Sequence, residues 1–322
     1  MEHRYIIRKE RNGSENLRTL IIDSHKGTVD CVPQNLHWKN SKILADTLGA
    51  DLIWSYPQVN DRIGSDYDVI IFVHASQYAY IDIRWLDQSP NAKIFYVTNE
   101  YNLGEPMLLW ESVKSGKRKY KVIANHPPEA SKVVKKYTED WINLNLNALV
   151  YEHKPFVPMM TLFGEERKED CVYYGSFRSD RAKYFKKYLT DKVLLSTHSK
   201  NEENFRKVGA TARRIDRIDW KDRGLHLFEH LLYIEDEKTH KYYNYLANRF
   251  YEGLSYDCLP IFASECINTI EKSGYNIGKE FIIENSDEIE SKKGLKIPLE
   301  WHDKAKKERE DVLKKLIDII TS

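Results

Sequence analysis

The stretch "YNYLANRFYEGLSYDCLPIFASE", Tyr243–Glu265, decides how the second half of the chain folds. Leu246, Phe250 and Leu254 recur at the spacing that lines one face of a helix. The apolar run "CLPIFA" that follows reads as a buried strand. A helix docking on a sheet needs only that apolar face, yet Asn248, Arg249 and Glu252 share another. One explanation is an Arg249–Glu252 surface pair, worth roughly a few tenths of a kcal/mol. The other is a polar edge facing a cleft, where Arg249 meets phosphate through its two-pronged guanidinium and Glu252 accepts from a ribose diol. Gly253 in mid-helix costs roughly 1 kcal/mol against alanine, which marks a close approach by ligand or backbone.

Outward from this stretch, the chain alternates short apolar strands with amphipathic helices. "LRTLIID", "DLIWSY", "DYDVIIFVHAS", "AKIFYVTNE" and "YKVIAN" are strands of the first half, and "HWKNSKILADTLGA" is a helix ending at Gly49. Asn12-Gly13, between Ile6-Ile7 and "LRTLIID", has the composition of a hairpin turn. The segment "EHKPFVPMMTLFGEERKED" breaks the alternation with prolines, a glycine and a charge run, as a linker does. Alternation then restarts with "CVYYG", "RAKYFKKYL", "KVLLST" and "HLFEHLLYIED". Continuous apolar strands separated by helices predict parallel sheets covered on both faces. The expected architecture is α/β, with two Rossmann-like domains facing a central cleft. Residues 1–152 would form the first domain, 153–170 the linker and 171–300 the second domain. A C-terminal helix, 301–322, would cross back to the first.

The 322 residues are 41% hydrophobic, enough for two packed interiors, and 31% charged. No window approaches the roughly 18 consecutive apolar residues of a membrane span, and "MEHRYIIRKE" does not read as a secretory signal. Cys31, Cys171, Cys258 and Cys266 lie far apart without metal-ligand spacing, so reduced thiols and a cytoplasmic location are expected. Twenty-one tyrosines and seven tryptophans leave two readings open, packing at the sheets or stacking on a ligand.

A second chemistry-bearing stretch is "CVYYGSFRSDRAKYFKKYL". A strand ends at Gly175-Ser176, and Arg178 precedes a helix capped by Ser179 or Asp180. Strand, glycine turn and helix N-terminus present backbone N–H groups to a diphosphate, although a plain strand-to-helix turn looks the same.

Together, "YYGSFRSDR" and "NRFYEGLSYDCLPIF" resemble the nucleotide-sugar-binding domain of GT-B glycosyltransferases. The resemblance covers about half the chain. It implies that Glu252 grips the ribose of a nucleoside-diphosphate sugar, a UDP-sugar first of all. Asn248, Arg249, Gly175, Ser176 and Arg178 would serve the phosphates. The chain departs from the family pattern at Asp257-Cys258, where the family carries a small glycine before the proline. The size and the "ANRFYE" wording are also similar to phage DNA-base glycosyltransferases, which implies transfer to a hydroxymethylated pyrimidine in double-stranded DNA.

An inverting transfer needs a base to deprotonate the acceptor hydroxyl, and strand C-termini of the first domain are where to seek it. Glu100 follows "AKIFYVTN", His74 ends "VIIFVH" and Asp23 ends "LIID"; a retaining enzyme would need none of them. A DNA acceptor needs a basic face. "KSGKRKYK" supplies Lys117, Arg118 and Lys119, and "RKVGATARRIDRIDWKDR" supplies Arg213 and Arg214, within a net charge of only +1. Solvated charged loops would look the same. No resident metal is expected, and dependence on a divalent ion stays open. The competing motif "HLFEH", His226–His230, matches H-x-x-E-H, which on a helix would set two histidines on one metal. The alternatives to a DNA-modifying enzyme are a glycosyltransferase for a saccharide or lipid-linked glycan, and a non-catalytic nucleotide or nucleic-acid binder.

Overall fold

The computed structural model describes residues 6–7, 17–25, 36–55, 67–73, 89–98, 118–131, 138–154, 168–216, 218 and 225–322. The chain divides into two compact units, one of Met1–Leu149 with Arg309–Ser322 and one of Val150–Glu308. The division falls at 149/150, a few residues before the boundary expected from the proline-rich segment. No described helix is long and apolar enough to cross a membrane.

In the first unit, seven described strands form one sheet: β1 (Ile6–Ile7), β2 (Thr19–His25), β3 (Asp51–Ser55), β4 (Val69–Val73), β5 (Lys93–Thr98), β6 (Tyr120–Ala124) and β7 (Thr138–Asn143). Their order is β1-β3-β2-β4-β5-β6-β7, with every pairing parallel except β1 with β3. Val69–Val73 is buried at every position, the signature of a strand covered on both faces. Helix α1 (Leu36–Leu48) buries Ser41, Leu44 and Ala45, turns Lys42 and Asp46 outward as an ion pair at 2.9 Å, and stops at Gly49, whose φ of 61° suits glycine.

The expected hairpin between β1 and β2 does not form. β1 pairs with β3 instead, because β3 and β4 already occupy both edges of β2; Asn12-Gly13 lies outside the described residues. β7 had no counterpart in the sequence reading, since "TEDWIN" is a polar edge strand whose solvated side chains carry no apolar run.

In the second unit, six described strands run parallel: β8 (Lys168–Tyr174), β9 (Val193–Ser196), β10 (Arg213–Ile215), β11 (Phe228–Tyr233), β12 (Leu259–Ala263) and β13 (Ile282–Ile283). Their order is β10-β9-β8-β11-β12-β13. The chain builds outward from β8 through β9 to β10, then returns to the other side of β8 and builds outward again. That is the strand order of doubly wound dinucleotide-binding folds, and it puts the topological switch point between β8 and β11.

The connecting helices are α2 (Ala182–Tyr188), α3 (Ser199–Lys207), α4 (Glu237–Tyr242), α5 (Asn248–Ser255) and α6 (Ile267–Ser273). A last helix, α7, spans Leu299–Thr321; Arg309–Ser322 counts with the first unit and the residues before it with the second. Phe250, on the apolar face of α5, lies 4.6 Å from the Tyr275 ring, 5.8 Å from Trp301 and 6.1 Å from Phe262. Tyr173, Tyr188, Tyr233 and Tyr251 are fully buried, so for these tyrosines packing is the role the structure displays. Cys171, Cys258 and Cys266 are buried.

Candidate functional site

In a doubly wound sheet, ligands meet the carboxyl ends of the strands where the order reverses. In the second unit those ends belong to β8 and β11, and the two stretches singled out in the sequence converge there. Gly175 follows β8 with a φ of 139°, a conformation that only glycine adopts without strain. Its N–H donates to the Ser196 carbonyl at 3.1 Å, and Thr197 Oγ1 donates to its carbonyl at 2.7 Å, so the turn is held to the end of β9. Ser176 is exposed, and Arg178 sits 3.6 Å from Asp180 at the start of the helical turn that leads into α2.

Arg249 reaches this turn from α5. Nη2 donates to the Tyr174 carbonyl at 3.1 Å; Nη1 donates to the Ile234 carbonyl at 3.0 Å and to Glu235 Oε1 at 2.9 Å. The guanidinium lies 4.8 Å from the centre of the Tyr173 ring and 5.0 Å from that of Tyr174. Arg181 Nη2 approaches Glu235 Oε2 at 2.5 Å, so one carboxylate, 3% exposed, bridges two arginines. Glu252 accepts a short hydrogen bond from the Tyr174 hydroxyl. Burial first, then the adjoining Glu252 carboxylate, push the Tyr174 phenol well above its usual range, which keeps it a donor at neutral pH.

The described contacts of Arg249 and Glu252 are therefore with residues of the second unit. Arg249 is 8% and Glu252 6% exposed, so neither forms the outward surface pair that was one reading of the sequence. Three donors of Arg249 serve as a clamp joining α5, β8 and β11, while its Nε and that of Arg181 are buried without a hydrogen-bond partner. Asn248, the first residue of α5, likewise has a buried Oδ1 that accepts no hydrogen bond. Gly253 is explained by backbone: a Cβ there would stand 2.8 Å from the Cys258 carbonyl oxygen. Asp257, where the resemblance fails in sequence, adopts a φ of 53°, so the turn takes the left-handed form that glycine would favour.

Glu100, His74 and Lys117 lie outside the described residues. β2 contains Asp23, β4 ends at Val73 just before His74, and the order of the first sheet reverses between these two strands. Arg118 donates Nη1 to the Ser89 carbonyl at 3.1 Å and Nη2 to the Ala92 carbonyl at 2.5 Å, which spends much of its guanidinium on the first unit's own loop. Lys119 and Arg213 are exposed, whereas Arg214 pairs with Glu202 at 3.1 Å.

The H-x-x-E-H reading is overturned. "HLFEH" is a turn entering β11, where His230 is fully buried with Nε2 3.1 Å from the Lys292 carbonyl, and Glu229 accepts from the Gly294 N–H at 3.2 Å. Strand geometry cannot bring His226 and His230 together as one helical turn would.

One cluster had no signal in the sequence. His153, Asp257 and His302, all in the second unit, hold side-chain ligand atoms within 4.8 Å of one another. No local spacing could announce it, because its members come from three distant segments. In comparisons with known proteins, the chain matches no protein-family model and no curated protein sequence.

Proposed function

We propose that the second unit binds a nucleoside-diphosphate sugar at its switch point and that the chain is a glycosyltransferase of GT-B type. The observation that carries the reading is the convergence of Gly175, Arg249 and Glu252, some 75 residues apart in sequence, at the reversal of a sheet ordered β10-β9-β8-β11-β12-β13. The glycine turn ends β8 without a side chain and so allows a diphosphate to approach the backbone closely, Asn248 Oδ1 is an acceptor for a sugar hydroxyl, and Glu252 is the carboxylate that the family resemblance assigns to the ribose. Arg249 acts here by holding the turn in shape, with Nε among the donors it has left.

The acceptor follows from the resemblance: a hydroxymethylated pyrimidine in DNA, flipped out of the duplex so that its hydroxyl can meet the donor. If the transfer inverts, Glu100, His74 and Asp23 are the candidate bases; Asp23 belongs to β2, one of the two strands at the first sheet's reversal.

Two measurements test the parts separately. Calorimetric titration with UDP-glucose and with free glucose is expected to give binding of the nucleotide sugar alone, weakened at least ~10-fold by Glu252→Gln with little change in melting temperature. A donor panel that never binds sinks the donor reading. Incubating plain and hydroxymethylated duplex DNA with nucleotide sugars, then weighing the digested nucleosides, tests the acceptor. Sugar on the hydroxymethylated base is expected, and sugar on neither DNA points to a saccharide acceptor.

A further inference from the structure

Three segments of the second unit meet at its surface beside the end of α5. The stretch from Tyr151 to Lys154 is tied there by backbone: Glu152 N–H donates to Ser255 Oγ at 3.0 Å, and Lys154 N–H donates to the Ser255 carbonyl at 2.6 Å. Asp257 follows in its left-handed turn, and His302 comes from the beginning of α7. His153 Nε2 lies 3.0 Å and His302 Nε2 3.6 Å from the same oxygen, Asp257 Oδ1. The two imidazoles are 4.3 Å apart between centroids. Behind His302, its Nδ1 is 3.1 Å from the Tyr151 hydroxyl.

We propose that His153, Asp257 and His302 form a binding site for one divalent first-row transition-metal ion, ligated by the two Nε2 atoms and a carboxylate oxygen, with solvent completing the shell. Tetrahedral zinc with bonds of about 2.0–2.1 Å separates its donors by about 3.3 Å. The observed 3.0 and 3.6 Å bracket that value, and the third separation lies within 4.8 Å. A separation of 3.6 Å is too long for a hydrogen bond, so His302 Nε2 faces the carboxylate in an arrangement that charge attraction holds and that a shared ion would tighten.

Two imidazoles and one carboxylate suit zinc, cobalt, nickel or ferrous iron, while magnesium and calcium prefer oxygen throughout. The Tyr151 hydroxyl supplies the outer support that ligating histidines ordinarily have: accepting from Nδ1–H, it fixes the tautomer that leaves Nε2 bare for the ion. His153, its side chain 41% exposed, can rotate to close the shell and leaves the ion open to solvent. An ion so held fastens Tyr151–Lys154, the turn between α5 and β12, and the start of α7 to one point. This site is separate from the proposed donor contacts, and its test does not depend on them.

The full chain, stripped with a chelator and dialysed, is titrated with cobalt(II) while its visible absorption is followed, and with zinc(II) by calorimetry. One ion per chain is expected, with zinc raising the melting temperature by mass action. His153→Gln, at an exposed side chain, and Asp257→Asn, which tolerates the left-handed backbone, are expected to weaken zinc by more than ~100-fold with unchanged circular dichroism. Tyr151→Phe is expected to cost about 10-fold through the lost orienting bond. A wild-type chain that takes up neither metal overturns the proposal outright. So does stoichiometric uptake that His153→Gln and Asp257→Asn leave unaltered.

Discussion

At Gly253 a single added carbon decides whether α5 can dock. A Cβ there would stand 2.8 Å from the Cys258 carbonyl and 3.1 Å from both Leu231 and Pro260. The carbonyl belongs to a turn already closed by the Cys258 N–H on the Gly253 carbonyl at 2.9 Å, so it has no easy way to retreat. Gly253→Ala gains helix propensity, yet it is expected to destabilise the protein by about 1–3 kcal/mol through overpacking. Urea unfolding checks this, and an unchanged or raised midpoint would show that the turn yields freely. The close approach was legible in the sequence because glycine in mid-helix has a cost that something must offset. The neighbour was not, since a backbone carbonyl leaves no trace in residue identity. Asp257 teaches the same at the turn itself, where an aspartate stands in a left-handed conformation that glycine adopts most freely.

Helix α5 and strands β8 and β11 are held together at one end by charge. Glu235 accepts from both Arg181 and Arg249 while buried among tyrosine rings, and removing its charge alone would strand two cations. Glu235→Gln keeps the shape and is expected to cost about 3–5 kcal/mol, measured by denaturant unfolding. A loss near zero would mean that the pairing is balanced by desolvation already suffered in the folded state. β8, β11 and β12 were legible as apolar runs because both their faces are covered. β7, β10 and β13 were not: the edge strands β7 and β10 carry polar or basic side chains, so that "RRI" reads as charge before it reads as strand, and β13 is only Ile282–Ile283, too short to show a pattern. The partner of Arg249 was hidden for another reason. Glu235 lies 14 residues upstream in a different element, beyond any helical spacing, whereas Glu252 at the right spacing turns to Tyr174.

Across the molecule, two α/β units were foreseeable from the alternation of strands and helices, but the order of strands was not, because nothing local encodes which neighbour a strand will join. One buried histidine gives the fold a pH dependence. His126, after β6, is fully buried, its Nδ1 3.4 Å from Asn125 Oδ1 and its ring edge-on to Trp141 at 5.8 Å. Burial lowers its pKa from 6.5 to about 4. The unfolded chain therefore binds a proton between these values that the folded chain refuses. Stability is expected to fall as pH drops from about 6.5 to about 4 and to level off below, with a total loss of about 3 kcal/mol from this group. Urea midpoints across that window check it, and His126→Gln is expected to flatten this part of the slope; an equal slope in the variant would assign it elsewhere. The reversal at β8 has a consequence for how the second unit is made. β8, β9 and β10 emerge first during synthesis, and the inner edge of β8 waits for β11 while α2, β9, α3 and β10 are made. Until β11 leaves the ribosome, that edge is an open template of unpaired N–H and carbonyl groups. The strand that becomes the centre of the finished sheet is, for that interval, its most vulnerable border.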